Sequence, residues 1–415
     1  MFVSSSREWM GASVLSQSAH TYLGYLQRHG YGAATVRAYE HSVGHFARWL
    51  TQGRTPLSRV DESLMRRFVT DHLPACRCPA PCQRTQHVVR AALAHLLHVL
   101  RAEGGIPGPR LLLPQAIHDE LERFNVHLQE VCGLAPSTRT SRRMWVSKFL
   151  LHHFGRTPVE IGRLKPRDIA NFVVRQADSY KPGTVGVLGC ALRSYLRFRV
   201  LRSGDQVEAL MAAVPTPAHW RLATLPAHLT PEEVDGFLNA FDPHSATGRR
   251  GYAMARCLVD MGLRASEVAA IQLDDLNWQE GTLKLDGGKS RRADMLPLPD
   301  ATGRAIVEYL CDARPRSVSR ALFVRHRAPF DVPVTASTVR CAVRMAFTRC
   351  GLAGRYTGTH VLRHTAATRM RCAGTSLKEI ADVLRHRSLD TTTIYTKVDL
   401  PRLAAVAAPW PGRLP

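Results

Sequence analysis

The chain has 415 residues, of which 56 are Lys or Arg and 34 are Asp or Glu, giving a formal net charge of +22. A hydrophobic fraction of 45% excludes a disordered chain, and the length suffices for two or three domains. No apolar run is long enough for a membrane span, and the polar start lacks the apolar core of a signal peptide, so we expect a cytoplasmic location. The positive charge is spread along the chain, which favours a nucleic-acid partner; solubility alone is the simpler alternative.

The first predicted elements form a helical unit over residues 15–105, and the same order of signals returns over residues 116–205. In each unit an amphipathic helix leads to a small-residue turn, and a second helix opens at Thr35, or at Ser137 or Thr138. A third helix then follows a "TP" step, and a basic helix closes the unit. Alignment of the two units pairs Phe46 with Phe149, Phe68 with Phe172 and Leu96 with Leu196. This pattern predicts an internal duplication, whereas the alternative is chance similarity between two helical bundles.

A loop in the first unit, "DHLPACRCPAPC", places four candidate metal ligands close together. His72, Cys76, Cys78 and Cys82 fall within this stretch, and thiolates with imidazoles are ligands that zinc prefers. The spacing differs from the usual C-x-x-C pair. A zinc site and a proline-stiffened loop with incidental thiols therefore both remain open, and the other cysteines are scattered as reduced thiols usually are.

Two Pro/Gly-marked linkers, "RAEGGIPGPRLLLP" and "AAVPTPAHWRLATLPAHL", separate the helical units from a third domain over residues 226–415. Thr230 is a predicted N-cap, Pro231 stands at the first helical position, and Glu233 completes a capping box. The stretch "WQEGTLKLDGGKSRRADMLPLP" gives a β signal about a Gly-Gly turn. We therefore predict a mainly α fold with a small β-hairpin or sheet.

The motif "MGLRASEVAAIQLDDL" predicts a tight corner between two helices. Gly262 is a natural C-cap for the first helix, and Ser266 can cap the second. Arg264 lies in the corner, where a rigidly placed guanidinium could bind two oxygens of a phosphate. The simpler alternative is a surface ion pair with Glu267 or Asp274.

Two further motifs add candidate cations. In "GGKSRRADMLPLP", Lys289 lies on or beside a β-turn, from which its ammonium could donate a proton; a solvated lysine is the alternative. In "TGTHVLRHTAATRMRCAG", His360 and Arg363 are three residues apart on one helix face. They could combine a proton-transfer group with a phosphate clamp, although a surface pair of cations is also compatible.

The last motif is "VLRHRSLDTTTIYTKV". It carries His386 and, nine residues later, Tyr395. A phenol of ordinary pKa is a poor nucleophile, so a reactive tyrosine needs neighbouring cations or a base. The surrounding basic residues could supply them, whereas a half-buried aromatic is the ordinary interpretation.

Together and in this order, the motifs resemble the signature of the tyrosine recombinase (phage integrase) family. The resemblance covers the whole third domain, and the helical units resemble the SAM-like core-binding domain of that family. The matching residues are Arg264, Lys289, His360, Arg363, His386 and Tyr395. One departure concerns the residue before the second histidine, where the family commonly has Gly and this chain has Arg385. It could tilt the turn that carries His386 or add a DNA contact.

The resemblance implies a mechanism. Tyr395 attacks a DNA phosphate and forms a 3′-phosphotyrosyl bond, while Arg264 and Arg363 stabilise charge on the phosphate oxygens. Lys289 protonates the leaving 5′-oxygen, and His360 assists proton transfer at the tyrosine. His386 then hydrogen-bonds the phosphate.

The resemblance also implies partners and cofactors. No cofactor, metal ion or ATP is expected, and the partner is double-stranded DNA. The tail "DLPRLAAVAAPWPGRLP" is expected to dock into a neighbouring subunit, so that a homo-tetramer assembles on two DNA sites. The alternatives are a tail that folds back on its own domain, a type IB topoisomerase, a catalytically silent DNA-binding protein of this fold, and a non-enzymatic helical scaffold.

Overall fold

The computed structural model describes residues 5–108, 113–203, 207–217, 227–285, 294–385 and 392–393. The chain divides into two compact units, one of Met1–Val60, Leu64–Gly105 and Leu222–Pro415 and the other of Asp61–Ser63 and Ile106–Arg221. The first helical unit and the third domain predicted from the sequence both fall in the first of these compact units. One reason is direct contact, since the ring of Phe330 lies against Gly30.

The N-terminal helices pack through a regular apolar stripe. Val43, Phe46, Ala47 and Leu50 on the third helix are all buried, at the spacing that one helix face requires. That helix begins two residues before the predicted Thr35, because Gly32 takes the extended N-cap conformation. The helices are α1 (Ser5–Gly11), α2 (Ala19–Arg28), α3 (Ala33–Gln52), α4 (Glu62–Arg67), α5 (Leu73–Ala75) and α6 (Gln86–Ala102), with a 3-10 turn at Leu57–Arg59 and a π turn at Phe68–His72.

The second compact unit is also helical and contains a buried carboxylate. Glu120 accepts hydrogen bonds from Arg199 Nη1 (2.8 Å), Arg123 Nη2 (2.7 Å) and the Tyr195 hydroxyl (2.8 Å). Burial acts to raise the pKa of Glu120, but these three donors outweigh it and hold the pKa below its ordinary value. The helices are α7 (Gln115–Glu130), α8 (Pro136–Phe154), α9 (Pro166–Ala177), α10 (Pro182–Ser203) and α11 (Glu208–Ala212), with a 3-10 turn at Ile161–Arg163.

Both helical bundles contain the same aromatic contact at the positions that the duplication pairs. Phe46 meets Phe68 edge-to-face at 5.1 Å between ring centroids, and Phe149 meets Phe172 edge-to-face at 5.2 Å. In both, a 3-10 turn follows the "TP" step and precedes the helix that carries the second phenylalanine. An edge-to-face pair fixes the angle between two helices more tightly than aliphatic packing does. The repeated contact supports the inference of a duplication.

The third domain is mainly helical with a small sheet, which confirms the predicted fold class. The helix α13 is central, because α15 and α17 both pack against it. The elements are α12 (Pro231–Asn239), α13 (Ala246–Asp260), α14 (Ala265–Ala270), β1 (Leu276–Asn277), β2 (Thr282–Leu285), β3 (Asp294–Pro297), α15 (Asp300–Asp312), α16 (Ala336–Arg349), α17 (His360–Cys372) and α18 (Leu377–Leu384). The strands are antiparallel in the order β1-β2-β3, and the buried Leu283 pairs with Leu296. Among the described residues, none of the helices has the length and apolar character of a membrane span.

Local capping rules predicted some helix ends correctly and one wrongly. The capping box is confirmed: Thr230 Oγ1 accepts the Glu233 N–H (3.3 Å), and Glu233 Oε2 accepts the Thr230 N–H (3.0 Å). The predicted cap at Ser266 is wrong, because α14 starts at Ala265 with Arg264 as its N-cap. The Glu267 carboxylate captures the backbone N–H of Arg264, and this starts the helix before Ser266.

The C-terminal end of α18 has a backbone conformation that favours glycine, although this chain has Arg385 there. Arg385 follows the helix with φ 51° and ψ 53°, the left-handed conformation that ends many helices. Glycine adopts this conformation freely, whereas a residue with a Cβ is strained there. Arg385 is held in place by its side chain, which is 7% exposed and donates from Nη2 to Glu267 Oε2 (2.6 Å).

A pair of substitutions at this position measures that strain. Arg385→Gly and Arg385→Ala both remove the ion pair with Glu267, so the difference between them reflects the left-handed backbone. We expect Arg385→Gly to have a larger free energy of unfolding by about 1 kcal/mol, measured by urea denaturation of the full chain.

The matched control is Ala373→Gly, since Ala373 ends α17 with an ordinary φ of −74°. Glycine should give no gain there. Equal stabilities of the two Arg385 variants would contradict the assignment of strain to residue 385.

Candidate catalytic site

The corner between α13 and α14 forms one wall of the site. Gly262 has φ +62°, as a C-cap glycine requires, and a Cβ on it would lie 2.5 Å from Leu384 Cδ2. Only glycine therefore lets α18 approach this closely. The corner then places Arg264 at the start of α14 with its side chain 30% exposed. A partly exposed guanidinium on a fixed backbone is available to a ligand.

The second arginine is buried between helix ends. Arg363 is 6% exposed and lies on α17. Its Nη1 donates to the carbonyl of Gly262 at 2.7 Å, and its Nη2 donates to the carbonyl of Leu384. These carbonyls belong to chain segments that end α13 and α18, where the helix dipole favours a cation. Arg363 thus joins three helices at one point.

The segment that ends α18 brings the two predicted arginines together. Arg264 Nη2 lies 3.4 Å from the carbonyl oxygen of Arg385, and Arg363 contacts the preceding carbonyl, that of Leu384. Each guanidinium therefore contacts one of two consecutive peptide groups. These peptide groups come directly before His386 in the chain.

Glu267 is the counter-ion of this corner. Its Oε1 accepts from Arg264 Nη1 (2.6 Å) and its Oε2 accepts from Arg385 Nη2 (2.6 Å). The ion pair that the sequence offered as the simpler alternative for Arg264 is therefore present, while Asp274 instead pairs with Arg320. Burial lowers the pKa of Arg385, although Glu267 opposes this effect.

The histidines of the third motif differ in their surroundings. His360 begins α17 and is exposed, unlike Arg363 one turn later. His364 is partly buried, and burial, with the neighbouring His360 and Arg363, lowers its pKa to about 4. His364 is therefore neutral near pH 7. The hydroxyl of Thr365 accepts the Leu229 N–H at 2.9 Å, which ties the segment before α12 to α17.

Three of the predicted site residues, Lys289, His386 and Tyr395, lie outside the described residues. The structure does describe residues that flank these three in the sequence. Strand β2 ends at Leu285 and β3 begins at Asp294, whose carboxylate lies 4.0 Å from Arg385 Nε. Thr392, three residues before Tyr395, is buried.

The predicted metal ligands come together in the N-terminal bundle with one change. His72, Cys76 and Cys78 lie close to His45, and the ligand atoms of these four residues fall within 4.8 Å of one another. The predicted fourth ligand, Cys82, is not part of this group, and its thiol donates to the carbonyl of Cys78 at 3.6 Å. The sequence interpretation missed His45 because it lies on α3, far along the chain from the cysteine loop.

The geometry of the catalytic corner suits phosphate chemistry. A buried and a half-exposed guanidinium meet at the end of one helix, and an exposed imidazole begins the helix that carries the buried one. Preorganised cations of this kind stabilise the charge that develops on phosphate oxygens.

Comparison with known families and proteins shows what the chain is similar to. Residues 227–401 match the model of the phage integrase family, and residues 19–104 match the model of the phage integrase N-terminal SAM-like domain. The chain is 34% identical over 390 residues to the putative integrase/recombinase y4rA of Sinorhizobium fredii, covering 94% of this chain and 92% of the relative. It is 27% identical to the tyrosine recombinase XerD of Lacticaseibacillus casei, covering 70% of this chain and 97% of the relative.

Solved structures with the same fold include two DNA complexes. The XerH site-specific recombinase bound to its palindromic difH substrate superposes with a TM-score of 0.57 at 18% identity, covering 73% of this chain and 99% of that chain. The Tn1549 transposon integrase in complex with transposon right end DNA gives 0.54 at 14% identity, covering 69% and 99%. With matches to both family models and a relative of 34% identity along nearly its whole length, the chain belongs to the phage integrase family and is a tyrosine recombinase.

Proposed function

We propose that the chain is a site-specific DNA recombinase that cleaves and rejoins duplex DNA through a 3′-phosphotyrosyl intermediate, in the integration or transposition of a mobile element. The observation that carries the proposal is the convergence of Arg264 and Arg363 on two consecutive peptide groups, those of Arg385 and Leu384. His386 is the next residue in the sequence after Arg385. Two fixed cations at one point match a single phosphate.

In the proposed reaction the phenolic oxygen of Tyr395 forms a bond to the scissile phosphorus, and the bond from phosphorus to the 5′-oxygen breaks. Arg264 and Arg363 stabilise the extra negative charge on the two non-bridging oxygens. Arg363 is already fixed by its two carbonyl partners, so it does not have to reorganise during the reaction. Arg264 must exchange part of its contact with Glu267 for the phosphate.

Proton transfer is assigned to the remaining residues of the motif. His360 takes the proton that leaves the Tyr395 hydroxyl, and Lys289 gives a proton to the departing 5′-oxygen. His386 donates a hydrogen bond to the phosphate. The exposure of His360 at the start of α17 agrees with a group that meets a ligand rather than the core.

The phosphotyrosyl ester conserves the energy of the cleaved bond, so a 5′-hydroxyl from a partner strand can reverse the reaction without ATP. Because two guanidiniums and an ammonium balance the phosphate charge, the step is proposed to need no metal ion. Exchange between two duplexes requires four cleavages, and we propose a homo-tetramer on two DNA sites held by exchange of C-terminal tails. The DNA partner and a cytoplasmic location complete the proposal.

Two observations support DNA as the partner over other polyanions. The net charge is +22, and the relatives named above are recombinases, two of them in complexes with DNA. A relaxing enzyme of the type IB topoisomerase class would use similar chemistry on one duplex. The relatives are named integrases and recombinases, so strand exchange between two sites is favoured.

A suicide DNA substrate, nicked so that the 5′-hydroxyl fragment diffuses away, tests the nucleophile. Wild-type protein should accumulate a covalent adduct that migrates slowly on a denaturing gel and disappears on protease treatment. Tyr395→Phe should form no adduct while binding the same DNA, because it lacks the attacking oxygen. An adduct in Tyr395→Phe at the wild-type rate would overturn the assignment, and supercoil relaxation without exchange between sites would favour the topoisomerase.

Removing the half-exposed guanidinium tests the phosphate clamp. Arg264→Ala should slow single-turnover cleavage by roughly 100- to 1,000-fold, the usual effect of losing one preorganised donor in a transition state. The matched control is Arg320→Ala, which breaks an exposed ion pair with Asp274 in the same domain. The control should cleave at the wild-type rate. Equal rates for both variants would remove Arg264 from the clamp.

Omitting free divalent metal ions and ATP from the assay tests whether DNA cleavage depends on them. Protein and DNA are passed over a chelating resin that removes free divalent ions, and cleavage is measured without ATP. The rate should equal that with added Mg²⁺ and ATP within about twofold, because arginines supply the charge stabilisation that a bound metal supplies in other nucleases. Loss of adduct that Mg²⁺ restores would contradict the metal-independent step.

A further inference from the structure

A cluster of metal-binding side chains lies in the N-terminal bundle, separate from the catalytic corner. It consists of His45, His72, Cys76 and Cys78, whose ligand atoms all lie within 4.8 Å of one another. None of them takes part in the proposed reaction. Two thiols and two imidazoles are the donor set of many structural zinc sites.

The fold directs these side chains to one point from three elements. His45 lies on α3 and is fully buried, and its ring contacts the rings of Phe68 and His72. The π turn at Phe68–His72 ends at His72, and such turns often mark functional positions in helices. Cys76 follows α5 directly, and Cys78 comes two residues later. A buried histidine needs polar partners, and the segment over residues 76–83 provides them through Cys76 Sγ and the Gln83 carbonyl.

The distances match a tetrahedral ion with little adjustment. His45 Nε2 lies 3.1 Å from His72 Nε2 and 3.2 Å from Cys76 Sγ, and Cys78 Sγ lies 3.7 Å from His72 Nε2. With zinc–nitrogen bonds of about 2.0–2.1 Å and zinc–sulfur bonds of about 2.3 Å, the edges of an ideal tetrahedron are roughly 3.3–3.8 Å. These three separations differ from the ideal edges by a few tenths of an ångström, and all the ligand atoms lie within 4.8 Å of one another.

Hydrogen bonds outside the cluster orient the donors. The carbonyl oxygen of Gln83 lies 3.2 Å from His45 Nδ1 and can only accept, so Nδ1 carries the proton. The lone pair of His45 Nε2 therefore points into the cluster, as in metal sites where a carbonyl fixes the imidazole. The backbone N–H of Cys78 also donates to Cys76 Sγ at 3.3 Å, which favours the thiolate.

The charge balance also suits a dication. Metal binding takes imidazoles in the neutral form and thiols as thiolates, so two thiolates would cancel the charge of one Zn²⁺. Arg84 lies beside the loop, where its Nη2 donates to the carbonyl of Cys78 at 2.9 Å.

We propose that His45, His72, Cys76 and Cys78 bind one Zn²⁺ ion in a structural site. Binding forms two zinc–sulfur and two zinc–nitrogen bonds and releases the two thiol protons to solvent. All four positions are filled by the protein, so the ion has no open position for a substrate. Its effect is to fasten the loop after α5 to the middle of α3.

Metal content of the full chain tests the proposal first. Protein purified without chelators and without added zinc should contain about one zinc ion per chain, measured by inductively coupled plasma mass spectrometry. Replacement by Co²⁺ should give the visible bands of a tetrahedral ion and a near-ultraviolet band from sulfur ligands. Wild-type protein with no bound metal that also gives neither band on adding Co²⁺ would overturn the site, whether the thiols are free or joined in a disulfide.

Substitutions then separate this ligand set from one that contains Cys82. His45→Gln and Cys78→Ser should each weaken zinc retention against a chelator at least about tenfold, since even loss of a supporting partner has an effect of that size. Cys82→Ser and Cys132→Ser are the controls and should retain the metal. Loss of zinc in Cys82→Ser with retention in His45→Gln would reject the ligand set.

Thermal melting provides a measurement that does not depend on recombination. Removing zinc from wild-type protein should lower the Tm by roughly 5–10 °C, because the metal stabilises only the folded state. The same treatment should leave the Tm of His45→Gln unchanged. An equal chelator effect on both proteins would contradict the site.

Discussion

The catalytic corner depends on one buried guanidinium. Arg363 donates to the carbonyls of Gly262 and Leu384, which are left without helical partners where α13 and α18 end. A charged donor between two carbonyls compensates for the burial of both. Without Arg363, both carbonyl oxygens would lose their side-chain donor, and the contact that joins the three helices would be lost with them. Arg264 contacts the next carbonyl after that of Leu384, so both arginines meet at this junction.

The junction also explains two features of the sequence that are otherwise unrelated. Gly262 must lack a side chain because Leu384 occupies the space of its Cβ. Arg385 then adopts a left-handed conformation that turns its carbonyl toward Arg264. The guanidinium of Arg385 could bind a ligand, but here it pairs with Glu267 and so stabilises the backbone turn.

Local rules predicted what depends on neighbours in the chain. The capping box at Thr230, the glycine at position 262 and the strands on both sides of the Gly-Gly turn all follow from short spacing rules, and the structure has them. The family resemblance added the order of the site residues. It could not supply the exact partners, because each contact of Arg363 crosses between helices that packing alone brings together.

The features that the sequence did not predict have physical reasons. His45 lies on α3 beside other polar residues, far along the chain from the cysteine loop, and only the fold brings the two together. Ser266 satisfied the capping rule but lost to Glu267, whose longer side chain reaches the N–H of Arg264. The left-handed turn at Arg385 agrees with the glycine that the resemblance implied for this position.

The shared carboxylate of Glu267 has a consequence for selectivity among anions. The single carboxylate of Glu267 is shared between Arg264 and Arg385, and on the proposed function a phosphate that enters must compete with it for Arg264. Free phosphate or a single nucleotide would gain little beyond that exchange, whereas a duplex would add further contacts to a chain with a net charge of +22. On this proposal the corner would bind a ligand that other parts of the chain already hold in preference to small anions.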